Sequence, residues 1–375
     1  VVSNIFLRLF AGRRVMKRSL TIAVGMLGIL AAMSANAAPV GETHRVTSEQ
    51  TASLRDAQHR TALRVTVWYP AAADAVERPL VVGPPAKPLF DVGAVAPDAA
   101  FATDGTRRPV ILLSHGFGGS ARIMGWFGIA MARSGYIVVA VDHPGNNSGD
   151  AMTVPGAILW WDWAEDLRAA LAAAEQDPDL GARMDRSRVG VAGFSAGGFT
   201  ALVAAGARVD PPRLIRFCRA NPGDGICRPQ REFAVTQQEA AAALAVPEVA
   251  AEAARAGDDH SISAVRAVFV MAPGLMQALE PASLAQIRAP VHILLGDADT
   301  VAPPATNGLV AAQAIPNAEL ERLPDVGHYD FLAACTDAGR AAVALCKIGL
   351  PQADTHRRAI IAAEAFFGRN LGGGR

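Results

Sequence analysis

The chain has 375 residues, 51% hydrophobic and 19% charged, with Lys+Arg and Asp+Glu both numbering 35. That much apolar material fills a large core and excludes a disordered, highly charged chain, while length alone allows one to three domains. A formal net charge of zero, with no long basic run, gives no footing for a nucleic-acid partner.

The first elements read as targeting sequence. Met16-Lys17-Arg18 is a short basic start, Leu20 to Met33 is apolar, and Ala35-Asn36-Ala37 has the A-x-A spacing of a cleavage site. The apolar run is shorter than the about 20 residues of a membrane-spanning helix. Residues 1–37 are therefore set apart as N-terminal extension and signal peptide, with a mature domain over 38–375. The expectation is a periplasmic or secreted protein without a stable membrane anchor. The alternative is an uncleaved anchor or a buried helix.

The remainder alternates short β-branched runs with longer Ala-rich amphipathic runs. This predicts an α/β domain, with a mostly parallel central sheet and helices on both faces. Arg64–Tyr69 alternates polar and apolar residues and predicts a strand ended by Pro70, and 71–108 reads as loop. Strands are predicted at Val110–Leu113, Tyr136–Val141, Arg188–Ala192, Val265–Met271, Val291–Leu295 and Glu319–Leu323. Helices are predicted at Ala121–Ser134, Ile158–Ala174, Ala196–Ala205, Thr306–Ala314 and Thr355–Phe367. Residues 207–262 break the rhythm and read as a cap-like insertion, since the strand–helix pattern resumes on both sides. The four cysteines suggest disulfides in an exported chain, most economically Cys218–Cys227 and Cys335–Cys346. A zinc site would need a C-x-x-C pair or a nearby His, and neither is present.

Gly193-Phe194-Ser195-Ala196-Gly197 matches G-x-S-x-G between an apolar strand and a helix, the context in which a serine hydroxyl is presented above a sheet. Such a serine needs a base. In proteins with this strand–turn–helix, the partners follow in the order Ser, acid, His. His44, His59, His115 and His143 precede Ser195, and His260 and His292 precede the best acid. His356, beside Arg357 and Arg358, reads as part of a solvated helix face. His328, in a loop after the last strand, is the predicted base. Asp297 and Asp299 both follow the strand ending at Gly296. Asp299 is preferred, because it can reach over the sheet edge, and Asp297 is expected to cap the turn. An oxyanion hole needs two backbone N–H groups. One is assigned to Ala196. The other is assigned to Phe117 in Ser114-His115-Gly116-Phe117-Gly118-Gly119, with Gly118 as rival, and His115 is expected to shape that loop. Trp160, Trp161 and Trp163 read either as core or as the lining of an acyl pocket.

These motifs, with Asp142-His143-Pro144-Gly145 and the run Val65–Pro70, resemble the platelet-activating-factor acetylhydrolase-like branch of the dienelactone hydrolase superfamily. The likeness runs from about Val65 to Phe367 and is weakest over 71–108 and 207–262. It implies an α/β-hydrolase fold and cleavage of carboxylic esters without metal or other cofactor. Dienelactone hydrolases proper carry a nucleophilic cysteine. Serine at 195 favours a serine carboxylesterase acting on a small-molecule or lipid-like ester. Polyester hydrolases are a neighbouring group. A peptidase or amidase would use the same residues, and a catalytically silent binding protein would show a damaged triad. A solute-binding protein would show two similar lobes, and no duplication is visible.

Overall fold

The computed structural model describes residues 38–346 and 352–372. The signal-peptide segment expected at 16–37 lies outside the described residues. The strands are β1 (Val40–Ser48), β2 (Ala62–Pro70), β3 (Arg78–Val82), β4 (Phe90–Pro97), β5 (Arg108–Ser114), β6 (Ile137–Asp142), β7 (Met184–Phe194), β8 (Val265–Met271), β9 (Val291–Gly296), β10 (Glu319–Leu323) and β11 (Ala334–Cys335). They form one sheet in the order β10-β9-β8-β7-β5-β6-β2-β1-β4-β11, with β3 on β4. From β10 to β6 every pairing is parallel. On the far side, β2 runs antiparallel to both β6 and β1. This is the α/β-hydrolase fold: a mostly parallel mixed sheet flanked by helices.

The apolar content of the central strands follows from their two covered faces. Along β5, Val110 and Leu112 enter one core, while Ile111 and Leu113 enter the other. The first core is closed by helices Asp162–Gln176 and Ala196–Ala204, through residues such as Leu167, Leu171, Phe199 and Leu202. The second is closed by helices Gly125–Arg133 and Gln352–Phe367, through Phe127, Met131, Phe366 and Phe367. Each such fully buried side chain contributes about 1.5–3 kcal/mol.

Three expectations need correction. Residues 71–108 are not loop throughout, because β3 and β4 pair there and join the sheet edge. β1 also precedes the strand expected first and pairs with β2 along its full length. The helix expected over 158–174 is two helices, Val154–Ile158 and Asp162–Gln176, divided where Leu159 leaves helical geometry at φ −95°, ψ 61°. The 207–262 stretch carries helices Pro211–Ala220, Gln237–Leu244 and Pro247–Ala254. Both expected disulfides are present, Cys218–Cys227 and Cys335–Cys346. Among the described residues no helix is long and apolar enough to cross a membrane.

Candidate active site

Every sequence-selected residue of the candidate site sits just beyond the carboxyl end of a parallel strand, where open α/β sheets collect their chemistry. Ser195 follows β7 at φ 56°, ψ −120°, a strained conformation for a residue with a side chain. The strain is held by the turn. Ser195 N–H donates to Met271 O at 3.0 Å, and Ser195 O accepts from Gly198, Phe199 and Gly274 N–H. The flanking glycines are obligatory here. A Cβ on Gly193 would sit 2.0 Å from Gly197 O, and one on Gly197 would sit 2.1 Å from Ser114 O.

His328 follows β10 and Asp299 follows β9. Their loops are joined by Ala298 N–H donating to Val326 O at 3.0 Å. Ser195 Oγ lies 2.8 Å from His328 Nε2, and His328 Nδ1 lies 2.6 Å from Asp299 Oδ2. The other Asp299 oxygen accepts the Val301 and Ala302 N–H groups, both at 2.8 Å. Ser195 is 9% exposed, and His328 and Asp299 5% each. Asp297 points elsewhere: it pairs with half-exposed Arg322 at 2.7 Å rather than capping its turn with the side chain. Chain order and strand-end placement thus select three residues that meet in space.

The two assigned N–H groups belong to segments next to Ser195. Phe117 lies in the turn after β5, and Ala196 opens the helix after Ser195. A Cβ on neighbouring Gly116 would lie 3.2 Å from Ser195 Cβ, so this turn borders the serine. The rival donor, Gly118 N–H, is taken by Asn146 Oδ1 at 2.7 Å. Gly118 itself has φ +64°, which its lack of a side chain permits. The N–H groups of Phe117 and Ala196 have no hydrogen-bond partner among the described residues.

The 207–262 stretch reaches this centre. A Cβ on Gly274 would lie 3.3 Å from Ile226 Cδ1 and 3.8 Å from Ser195 Oγ, so Ile226 and the serine both border Gly274. Glu232 packs on Gly118, and its carboxylate lies near the Tyr329 hydroxyl. Burial, then that carboxylate, pushes the Tyr329 hydroxyl well above its usual range. A surface cavity of about 210 Å³ lies apart from these residues; the ion-paired Asp56, Arg60, Arg64, Asp142 and Asp150 line it, and it holds none of the three central groups.

Three other residues selected from sequence fall outside the centre. His356 is not on a solvated face. Its ring stacks on Trp126 at 3.9 Å, its Nε2–H donates to Leu332 O at 2.8 Å, and burial pushes it down to about 4. Trp161 and Trp163 are core residues, and Trp163 stacks on His143 at 4.1 Å. Sequence reasoning overlooked Asn146, Glu232 and Tyr329. Asn146 alone had a signal, as a polar residue in the loop after β6.

The family model described as Alpha/beta hydrolase family matches residues 110–344, and the chain belongs to that family. No curated protein matches the sequence. Among solved structures, a ferulic acid esterase from Streptomyces cinnamoneus is similar, with 20% identity over 91% of this chain and 92% of that one and a TM-score of 0.57. At that identity the likeness is one of fold.

Proposed function

We propose that this protein is a serine carboxylic ester hydrolase working through an acyl-enzyme on Ser195. The observation that carries it is the continuous chain Ser195 Oγ–His328 Nε2, 2.8 Å, and His328 Nδ1–Asp299 Oδ2, 2.6 Å, at a strained strand–helix turn. His328 takes the Ser195 proton as the oxygen attacks the ester carbonyl. Asp299, which accepts two N–H groups on its other oxygen, keeps the imidazole proton on Nδ1 and stabilises the imidazolium. The carbonyl oxygen gains charge between the Phe117 and Ala196 N–H groups. His328 then protonates the leaving alcohol, and in the second half activates water to release the acid.

The resemblance of the motifs to the acetylhydrolase-like branch of the dienelactone hydrolase superfamily supports this reading, and the esterase named among its structural neighbours fits ester substrates. The two disulfides fit an oxidising, extracytoplasmic compartment. The 207–262 insertion acts as a cap, a reading supported by Ile226 at Gly274, which also borders the serine, and by Glu232 on the Gly118 turn. The substrate is a small-molecule or lipid-like ester. Hydrolysis of p-nitrophenyl esters of graded acyl length, beside matched anilides, tests the reading. Ser195→Ala is expected to lower kcat about 10⁶-fold, with ester cleaved far faster than anilide. A Ser195→Ala protein with wild-type esterase rates refutes the assignment.

A further inference from the structure

Behind Ser195 lies a second serine–histidine–aspartate chain that the proposed reaction does not use. Ser114 Oγ lies 2.8 Å from His143 Nε2, and His143 Nδ1 lies 2.8 Å from Asp166 Oδ2. A carboxylate only accepts, so His143 carries its proton on Nδ1, and Ser114 O–H donates to Nε2. Arg55 grips both Asp166 oxygens at 2.8 Å each. All four side chains are fully buried, so this serine meets no substrate. Burial would raise Asp166, but the Arg55 charge and its two hydrogen bonds hold it down at about 2. Burial also pushes His143 below its usual value, so its ring stays neutral.

The chain fixes the position of the His143 backbone, and that backbone touches the oxyanion turn. His143 N–H donates to His115 Nε2 at 3.1 Å. Nε2 therefore accepts, and the His115 proton sits on Nδ1, which donates to Gly116 O at 2.7 Å. Gly119 N–H donates to the same oxygen at 2.9 Å. A peptide unit is planar and trans, so its C=O and N–H point in opposite directions. Two donors on Gly116 O thus aim the Phe117 N–H the other way. Burial, then neighbouring His143, pushes His115 down to about 3, so this tautomer persists across ordinary working pH.

Asn146 holds the next peptide. Its Oδ1 takes Gly118 N–H at 2.7 Å, and its Nδ2–H donates to Gly156 O at 3.1 Å. Ser148 N–H donates to Gly119 O at 2.7 Å, and Asp142 Oδ1 accepts Ala121 N–H at 2.8 Å. The segment 142–148 is a brace laid along the turn.

We propose that His143 and Asn146 are positioning residues for the oxyanion hole, acting through the Gly116–Gly119 turn on the Phe117 N–H. The inference rests on the Ser195 acyl-enzyme reading.

The test compares a p-nitrophenyl ester with its thiono analogue. Thiocarbonyl sulfur accepts hydrogen bonds weakly, so the oxo-to-thiono rate ratio reports on the hole itself. Asn146→Ala is expected to lower kcat for the oxo ester about 10–100-fold, with KM within about threefold, and to lower the ratio at least tenfold. Asn146→Asp in its protonated form keeps an acceptor for Gly118 N–H and a donor for Gly156 O, so its ratio should recover as the assay pH is lowered. If Asn146→Ala does not fold, Ser114→Ala deletes one buried hydroxyl and should lower the ratio several-fold. Wild-type kcat and ratio in the folded variants, or a change confined to KM, overturns the proposal. That result beside an inactive Ser195→Ala leaves the esterase reading standing, whereas an active Ser195→Ala removes both.

Discussion

Asp299→Asn tests the acid assignment with one atom changed. Asp299 Oδ1 already accepts Val301 and Ala302 N–H, each at 2.8 Å. An amide at 299 must keep its oxygen there, because its NH₂ cannot face two donors. The NH₂ is thereby turned toward His328 Nδ1, where Oδ2 now stands at 2.6 Å. An N–H donor at that position forces Nδ1 to accept and moves the imidazole proton to Nε2. Nε2–H then faces Ser195 Oγ at 2.8 Å and cannot take its proton. The wrong tautomer costs about 10⁴ in kcat in comparable triads, or about 5.4 kcal/mol of barrier. Shape and packing are nearly unchanged, so KM should move little. Asp297→Asn removes only an ion pair to half-exposed Arg322, of the kind contributing about 0–1 kcal/mol to stability, and should leave kcat within about twofold. The assay is steady-state hydrolysis of a p-nitrophenyl ester, with burst titration to count active sites. A loss of 10³-fold or more in Asp297→Asn, with less than tenfold in Asp299→Asn, refutes the assignment.

Acid should weaken the fold partly through His356. Its neutral form is favoured in the native state down to about 4, so below its usual value of 6.5 the unfolded chain binds the extra proton and stability falls with pH. The loss is about 1.4 kcal/mol per pH unit, hence about 2 kcal/mol at pH 5. His356→Phe, which keeps the stack on Trp126, should reduce the drop between pH 7 and pH 5 by about that amount in urea unfolding; an unchanged drop would count against the burial argument. The Cys218–Cys227 bridge holds the turn at Gly225–Cys227, where Gly225 packs on the Thr300–Val301 backbone and Asp224 accepts from Thr306 Oγ1 at 2.7 Å. Replacing both cysteines by Ser should expose 210–235 to limited proteolysis and raise KM several-fold with kcat within about threefold; an unaltered cleavage pattern and KM would show that the bridge does not hold the cap.

The central strands were legible because burial on both faces demands continuous apolar runs, and β8 and β10 have the bounds their sequences suggest. The edge was not. β3 contains Pro79, and β4 contains Gly93 at φ +134°, so neither shows clean alternation; partners distant in sequence hold them. His356 was misread because charged neighbours outweighed periodicity. Arg357 and Arg358 face outward, but His356 shares its helix face with Ala359, Ala363 and Phe367, all buried. The spacing carried that information, and only its weighting failed.

The site divides in the same physical way. The turn at Ser195 is encoded locally, since a Cβ at 193 or 197 meets backbone at about 2 Å, and only small residues in that order allow it. His328 and Asp299 follow from chain order, because each must close a strand that the sheet places next to β7 or beyond it. The brace is encoded nowhere locally. Arg55, Ser114, the pair His143 and Asn146, and Asp166 come from four separate stretches, and they are joined by hydrogen bonds spanning up to 111 positions. A sequence shows where a nucleophile can be strained into place. The hydrogen bonds that orient the neighbouring Phe117 peptide form a buried network visible only once the chain is folded.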